Sequence, residues 1–331
     1  MKISTHNNTP AEFILAGYER GGTTLLSDLF RANGFESGFE CGVLLGSSPS
    51  DFPKISPYWD MLIDGWNIDA NARSEAIKGD FSEFYISLRN SAFPEFRGRI
   101  FDKTPKYMEC LGLCLNRAEF LKGAVIIHRD PRAVFVSMAR RLSPGLSVAE
   151  SIEKNFRNLT DRYLSYFIGS AAHLNNPKVM FIPFEDIVSR ESTWLHALGL
   201  FVEGRPFKKR ESTSRFGNVE KNGMDLNKIV EFDQLLSQDL QKRILYSTKT
   251  AAIFFASPVE RAYYCDEWYS ILHQAQSLLQ HFEINEVNVT IDGVYFEPLT
   301  YLIRYQDVLK ARVNPIVHYR NRGRSEGRRP A

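Results

Sequence analysis

The stretch from Glu12 to Phe30, EFILAGYERGGTTLLSDLF, constrains the chain more than any other, because it joins a buried strand, a glycine-rich turn and an amphipathic helix without a break. Phe13, Ile14, Leu15 and Ala16 form an apolar run ended by Gly17, the pattern of a central parallel strand covered on both faces. Gly21 and Gly22 let the backbone turn tightly, and Thr23 and Thr24 stand where a helix begins. Unpaired amides and the helix dipole favour an anion at such a turn. Gly17, Gly22, Thr23 and Thr24 have the spacing of a nucleotide-binding P-loop with threonine in the place of its lysine, and the nearest cation is Arg20, inside the loop. A phosphate-transferring enzyme needs that lysine and a magnesium ligand, so this loop suits a phosphate that is held rather than transferred. A strand-to-helix turn without any ligand shares the same local pattern, so the rest of the chain has to decide.

With 331 residues, 44% hydrophobic and 24% charged, the chain can bury a large core, and one main domain with an appendage is expected. No apolar run is long enough to span a bilayer, and MKISTHNNTP lacks a signal-peptide core, so a soluble protein starting at Met1 is expected. Cys41, Cys110, Cys114 and Cys265 show neither CxxC spacing nor disulfide-scaffold density, which suits reduced thiols in a cytoplasm. The histidines are scattered, and no carboxylate cluster suggests a metal. A net charge of +2 gives no ground for a nucleic-acid partner.

Beyond the helix carrying Leu25, Leu26, Leu29 and Phe30, the segment FESGFECGVLLGSSPSDFPKISP is a long irregular loop, and Glu40 is the only carboxylate between its first glycine and its first proline. Long loops at the carboxyl ends of strands in open α/β sheets are where substrates are met. A lone loop glutamate is otherwise solvated surface. Residues 58 to 92, with Trp59, Leu62, Trp66, Phe84, Tyr85 and Leu88, predict two or three helices lining a lid or acceptor groove. GRIFDKTPKYM predicts a strand that ends at Asp102 and Lys103, followed by a helix opened by Pro105; Lys103 is there either a surface charge or part of the anion site.

GAVIIHRDPRAVFVSMARR repeats the strand-turn-helix design, with Pro131 at the first helical position. Arg129 and Ser137 are about two helical turns apart and can share one edge of a ligand, whereas Arg129 can also pair with Asp130 or Asp102, and Ser137 with its own helix backbone. Arg140 and Arg141 follow. A long helix from Val148, the strand VMFIPFEDI and a helix through Trp194 and Leu198 come next. PFKKRESTSRFGN, Pro206 to Asn218, either closes over an anionic nucleotide, with Ser212 and Ser214 as its candidate contacts, or is a solvated basic loop. Residues 227 to 284 read as helices.

RGGTT after the first strand and RDPRAVFVS after a later one resemble the two nucleotide signatures of sulfotransferases, and Phe184, Glu185 and Asp186 resemble that family's Tyr-Glu-Asp strand ending. The resemblance spans Glu12 to Asn218 and implies a P-loop-like three-layer α/β fold with a central parallel sheet flanked by helices. It also implies sulfuryl transfer from 3′-phosphoadenosine 5′-phosphosulfate, PAPS, without a metal. Carried over by position, Arg20, Gly21, Gly22, Thr23 and Thr24 would bind the 5′-phosphosulfate, and Arg129 and Ser137 the 3′-phosphate. Gly21 replaces the family's usual serine. Within the family the chain is most similar to the tyrosylprotein branch and its bacterial relatives: Lys103 matches the sulfate-facing lysine, Arg141 a further arginine at the nucleotide, and Glu40 the general base. Arg20 joins Lys103 in stabilising the leaving phosphate.

The segment from about residue 290 to 330 resembles a short module of bacterial surface-polysaccharide synthesis proteins, through its tyrosine-rich helix, Asn314-Pro315, His318-Tyr319 and a terminal Gly-Arg motif. The expected division is therefore 1–285 for the PAPS-binding domain and 286–331 for a small, helical, basic module. Its arginines either keep a capping hairpin soluble or make a peripheral contact with an anionic glycan or the inner membrane surface. The two resemblances point to different hydroxyl acceptors, a peptide tyrosine or a glycan, with Trp59 and Trp66 as candidate sugar contacts. A P-loop kinase holding ATP is the more distant alternative.

Overall fold

A computed structural model describes residues 8–189, 191–209, 227–249, 251, 271 and 273–331. Its centre is a sheet of five parallel strands in the order β2-β3-β1-β4-β5: β1 Phe13–Gly17, β2 Phe35–Glu36, β3 Arg99–Lys103, β4 Gly123–His128 and β5 Val179–Pro183. In β1, Phe13 and Leu15 face a core shared with Phe101, Val125 and Ile127, while Ile14 and Ala16 face another shared with Ile100, Ala124 and Ile126. Burial from both sides is why the strand reads as unbroken apolar sequence. The three-layer α/β architecture with a central parallel sheet is the one expected from the sequence.

Helix α1, Thr23–Arg31, packs its leucines and Phe30 on one face of the sheet. Three helices, α2 Tyr58–Trp66, α3 Ala70–Ala76 and α4 Phe81–Ala92, occupy the predicted aromatic segment. Next come α5 Leu111–Arg117, α6 Pro131–Leu142, the long α7 Val148–Ser170, α8 Phe184–Ser189 and α9 Glu191–Glu203. Pro105 opens a 3-10 helix, Pro105–Cys110, rather than an α-helix. The segment expected to be wholly irregular after α1 contains the two-residue strand β2 and short 3-10 helices at Val43–Leu45 and Pro49–Lys54. Cys41, Cys110 and Cys114 are free thiols, and Cys265 lies outside the described residues. Among the described residues no helix is long and apolar enough to cross a membrane.

The C-terminal segment is not purely helical: a hairpin of β6 Val289–Ile291 and β7 Val294–Phe296 precedes its short helices. Its core joins Ala275, Leu278 and Leu279 to Phe296, Tyr301 and Tyr319, so it unites residues on both sides of position 285. Glu297 fixes the segment to the rest of the molecule. This buried carboxylate shares a 2.8 Å hydrogen bond with His173 Nε2 and accepts from Tyr295 Oη at 2.8 Å and Thr300 Oγ1 at 2.7 Å. Gly112 of α5 makes the room, since a Cβ there would lie 1.6 Å from Glu297 Oε1. Arg329 adds an outer tie to Glu109 at 2.7 Å. Removing one member of a fully buried polar cluster leaves the others without partners. Glu297→Ala is therefore expected to lower the unfolding free energy by about 3 to 5 kcal/mol in urea titrations, far more than Arg329→Ala, which removes an exposed pair.

Candidate active site

Because all five strands run the same way, their carboxyl ends share one edge, and each delivers a polar residue to it: Glu40 follows β2, Lys103 ends β3, Arg20 follows β1, Arg129 follows β4 and Glu185 follows β5. The turn after β1 is built from left-handed residues. Arg20 has φ 66°, Gly21 N–H donates to Tyr18 O at 2.9 Å, and Gly22 at φ 105° precedes α1. Gly22 has no room for a side chain, as a Cβ would come within 2.6 Å of the Phe184 ring. No side chain caps α1 and no acidic residue stands in its first turn, so its leading amides present a positive end to the edge. Thr23 is buried there and Thr24 is half-buried.

The two glycine- and arginine-bearing motifs are stitched together. Arg20 Nε donates to Ser137 Oγ at 3.0 Å, and Arg129 Nη1 reaches Arg20 O at 3.4 Å. Arg129 is buried, with its guanidinium 4.5 Å from the centre of the Phe184 ring, and Tyr163 Oη donates to its carbonyl at 2.8 Å. Burial pushes the Arg129 pKa down from its ordinary value, partly offset by the charges of Glu185 and Asp130. Of the alternatives open from the sequence, Asp130 is taken by Arg132, with Nη2 to Oδ2 at 2.6 Å, and Asp102 by hydroxyl donors. Arg141 is exposed in the last turn of α6, beyond Ser137. Ser212 and Ser214 lie outside the described residues.

On the other side of β1, Lys103 Nζ and Glu40 Oε1 are 3.0 Å apart, with side chains 8% and 20% exposed, and the ammonium lies 4.5 Å from the centre of the Phe39 ring. Lys103 is therefore a member of the edge cluster and not a surface charge. Trp66 is 1% exposed and packs on Gly38 and Phe93, so it is a core residue and not a sugar contact. Trp59 carries the Arg73 guanidinium over its ring at 4.0 Å and meets the Phe52 ring edge to face.

Two carboxylates at the edge escaped the sequence as site residues. Asp102, fully buried behind Lys103, accepts hydrogen bonds from Tyr85, Tyr107 and Thr104; burial nevertheless raises its pKa. Glu185 accepts from Asp130 N–H at 2.9 Å beneath Arg129. Its place after VMFIP was visible, but nothing in the sequence shows that it turns inward.

No protein-family profile matches the chain, and neither does any curated protein. Among solved structures, the sulfotransferase domain of the Synechococcus PCC 7002 olefin synthase aligns at 18% identity over 76% of this chain and 98% of that domain, with a TM-score of 0.52. The mouse sulfotransferase SULT7A1, solved with PAP, aligns at 14% identity over 76% of this chain and 87% of the other, with a TM-score of 0.45. The first of these establishes that the chain has the sulfotransferase fold.

Burial lifts the Glu185 carboxyl to about 7, against the opposing pull of the Asp130 amide and the Arg129 charge. The folded state thus holds this proton more tightly than the unfolded chain does, and stability is lost as pH rises from the ordinary glutamate value to about 7. At about 1.4 kcal/mol per unit the loss approaches ~3 kcal/mol. Glu185→Gln keeps an acceptor for the amide without the charge. Its stability relative to wild type should rise across that window and level off above it, as read from urea unfolding between about pH 5 and about pH 8.

Proposed function

We propose that the chain is a sulfotransferase that moves a sulfuryl group from PAPS to a hydroxyl acceptor. The observation that carries this is the 3.0 Å Glu40–Lys103 pair at the same sheet edge as a phosphate loop that lacks the P-loop lysine. The fold agrees with it. The residues present fit the donor: the uncapped end of α1 with Arg20, Gly21, Gly22, Thr23 and Thr24 suits the 5′-phosphosulfate, and buried Arg129 with Ser137 suits the 3′-phosphate. Arg141, exposed one turn beyond Ser137, is assigned to that second site by the resemblance alone.

In the reaction the bond from sulfur to the nucleotide's bridging oxygen breaks while a bond to the acceptor oxygen forms, in line and through a loose transition state akin to phosphoryl transfer. Negative charge gathers on the bridging oxygen. Lys103 and Arg20 face it, and each such contact lowers the barrier by about 2 to 4 kcal/mol. Glu40 receives the acceptor's proton. Before the acceptor arrives, Lys103 holds the Glu40 carboxylate in place through their ion pair.

The acceptor we propose is a glycan hydroxyl of a surface polysaccharide or its lipid-linked precursor. Its support is the resemblance of the C-terminal segment, since the Glu40–Lys103 geometry reports on the transfer and not on the alcohol. In this reading the enzyme works in the cytoplasm, with the exposed arginines Arg312, Arg320, Arg322 and Arg324 available to an anionic glycan or membrane surface. Incubation with radiolabelled PAPS and fractionated cell extract tests the assignment: label in carbohydrate supports it, and label confined to protease-sensitive material replaces the glycan by a protein tyrosine.

Calorimetry should show adenosine 3′,5′-bisphosphate binding more tightly than ATP with magnesium; the reverse order would favour a kinase. Arg129→Ala should weaken the bisphosphate much more than adenosine 5′-phosphate, because a charge-assisted contact is lost only where a 3′-phosphate exists. Glu40→Gln should slow turnover by roughly 10²- to 10⁴-fold while leaving bisphosphate affinity within about twofold. Preserved turnover would remove Glu40 from the base role.

A further inference from the structure

We propose that Thr104, oriented by Asp102, is a positioning residue for Glu40, acting through the backbone amide of Gly42 that follows it; the inference rests on the base role proposed for Glu40. Residues 37–42 have no regular structure, so the site of Glu40 has to be set by contacts at either side of it. Before Glu40, Phe39 N–H donates to Gly65 O at 2.7 Å. After it, Gly42 N–H donates to Thr104 Oγ1 at 3.0 Å.

Thr104 spends its single proton on Asp102 Oδ1 at 2.9 Å, which orients its lone pair towards Gly42. The other oxygen of Asp102 accepts from Tyr85 Oη and Tyr107 Oη, both at 2.6 Å. Asp102 is thus anchored to α4 and to the 3-10 turn, at a fully buried point that cannot shift without leaving donors unpaired. Lys103 stands between the two residues in sequence, and strand alternation places it on the opposite face of β3 from Asp102. Three consecutive residues therefore hold the loop by its backbone and meet its carboxylate with an ammonium. A general base serves only within hydrogen-bond reach of the proton it takes, and misplacement by about an ångström costs on the order of a hundredfold.

Thr104→Val removes the hydroxyl at nearly constant volume. In its crystal structure the Glu40–Lys103 contact is expected to open beyond ~4 Å, with turnover down about 10- to 100-fold and calorimetric affinity for adenosine 3′,5′-bisphosphate within about twofold. Thr104→Ser should recover most of the loss, and Thr104→Val should add nothing to Glu40→Gln, because the two act through one group. The inference is overturned if the contact in Thr104→Val stays at the wild-type 3.0 Å, or if the substitution slows Glu40→Gln as much as it slows wild type. Full turnover in Glu40→Gln would instead strike at the base role, and the Thr104→Val structure decides the positioning independently of it.

Discussion

Burial of β1 on both faces is the constraint on which the molecule depends. With Phe13 and Leu15 committed to one core and Ile14 and Ala16 to the other, the strand can neither rotate nor slip by one residue without exposing a full set of apolar side chains. Its neighbours are registered against it, Leu15 beside Lys103 on one side and Gly17 beside Ile127 on the other. The chain must therefore leave β1 at a fixed point, between the ends of β3 and β4. The tight turn through Arg20 and Gly22 follows from that geometry, because α1 has to fold back onto the face it covers.

Charge at this edge is handled by pairing, with Lys103 and Arg129 both buried. Arg20 leans on Ser137, Lys103 on Glu40 and Arg132 on Asp130, so the cations are held in defined places. Arg129 is stacked on Phe184 and reaches the carbonyl of Arg20. An arginine tolerates this better than a lysine, since its charge is spread over a plane and resists deprotonation.

The parts of the fold legible in the sequence were those where local pattern and tertiary role coincide. β1, β3 and β4 were visible as apolar runs ending in polar or glycine residues, and α6 was visible because Pro131 suits a helix start and its apolar positions repeat. β2 was not, because two residues carry no period and their pairing with β3 is decided by tertiary contact. The β6–β7 hairpin was hidden for the same reason, with strands of three residues each. At the site, Arg20, Lys103 and Arg129 could be found from their places at strand ends. Asp102 could not be given a role, because its partners Tyr85, Tyr107 and Thr104 come from three different elements and only the fold gathers them. Trp66 misled for a related reason: an aromatic in a groove-forming helix looks the same in sequence whether it faces the groove or the core, and the close approach of Gly38 shows which.

The buried Glu297 cluster has a mechanical consequence. A basic tail on a flexible tether can find an anionic surface in any orientation, so its grip carries no information about where the chemistry points. Here the tail's root is locked against α5 and to His173 through a fully buried carboxylate. The outward arginines of this segment are consequently carried on a rooted element rather than on a swinging tether.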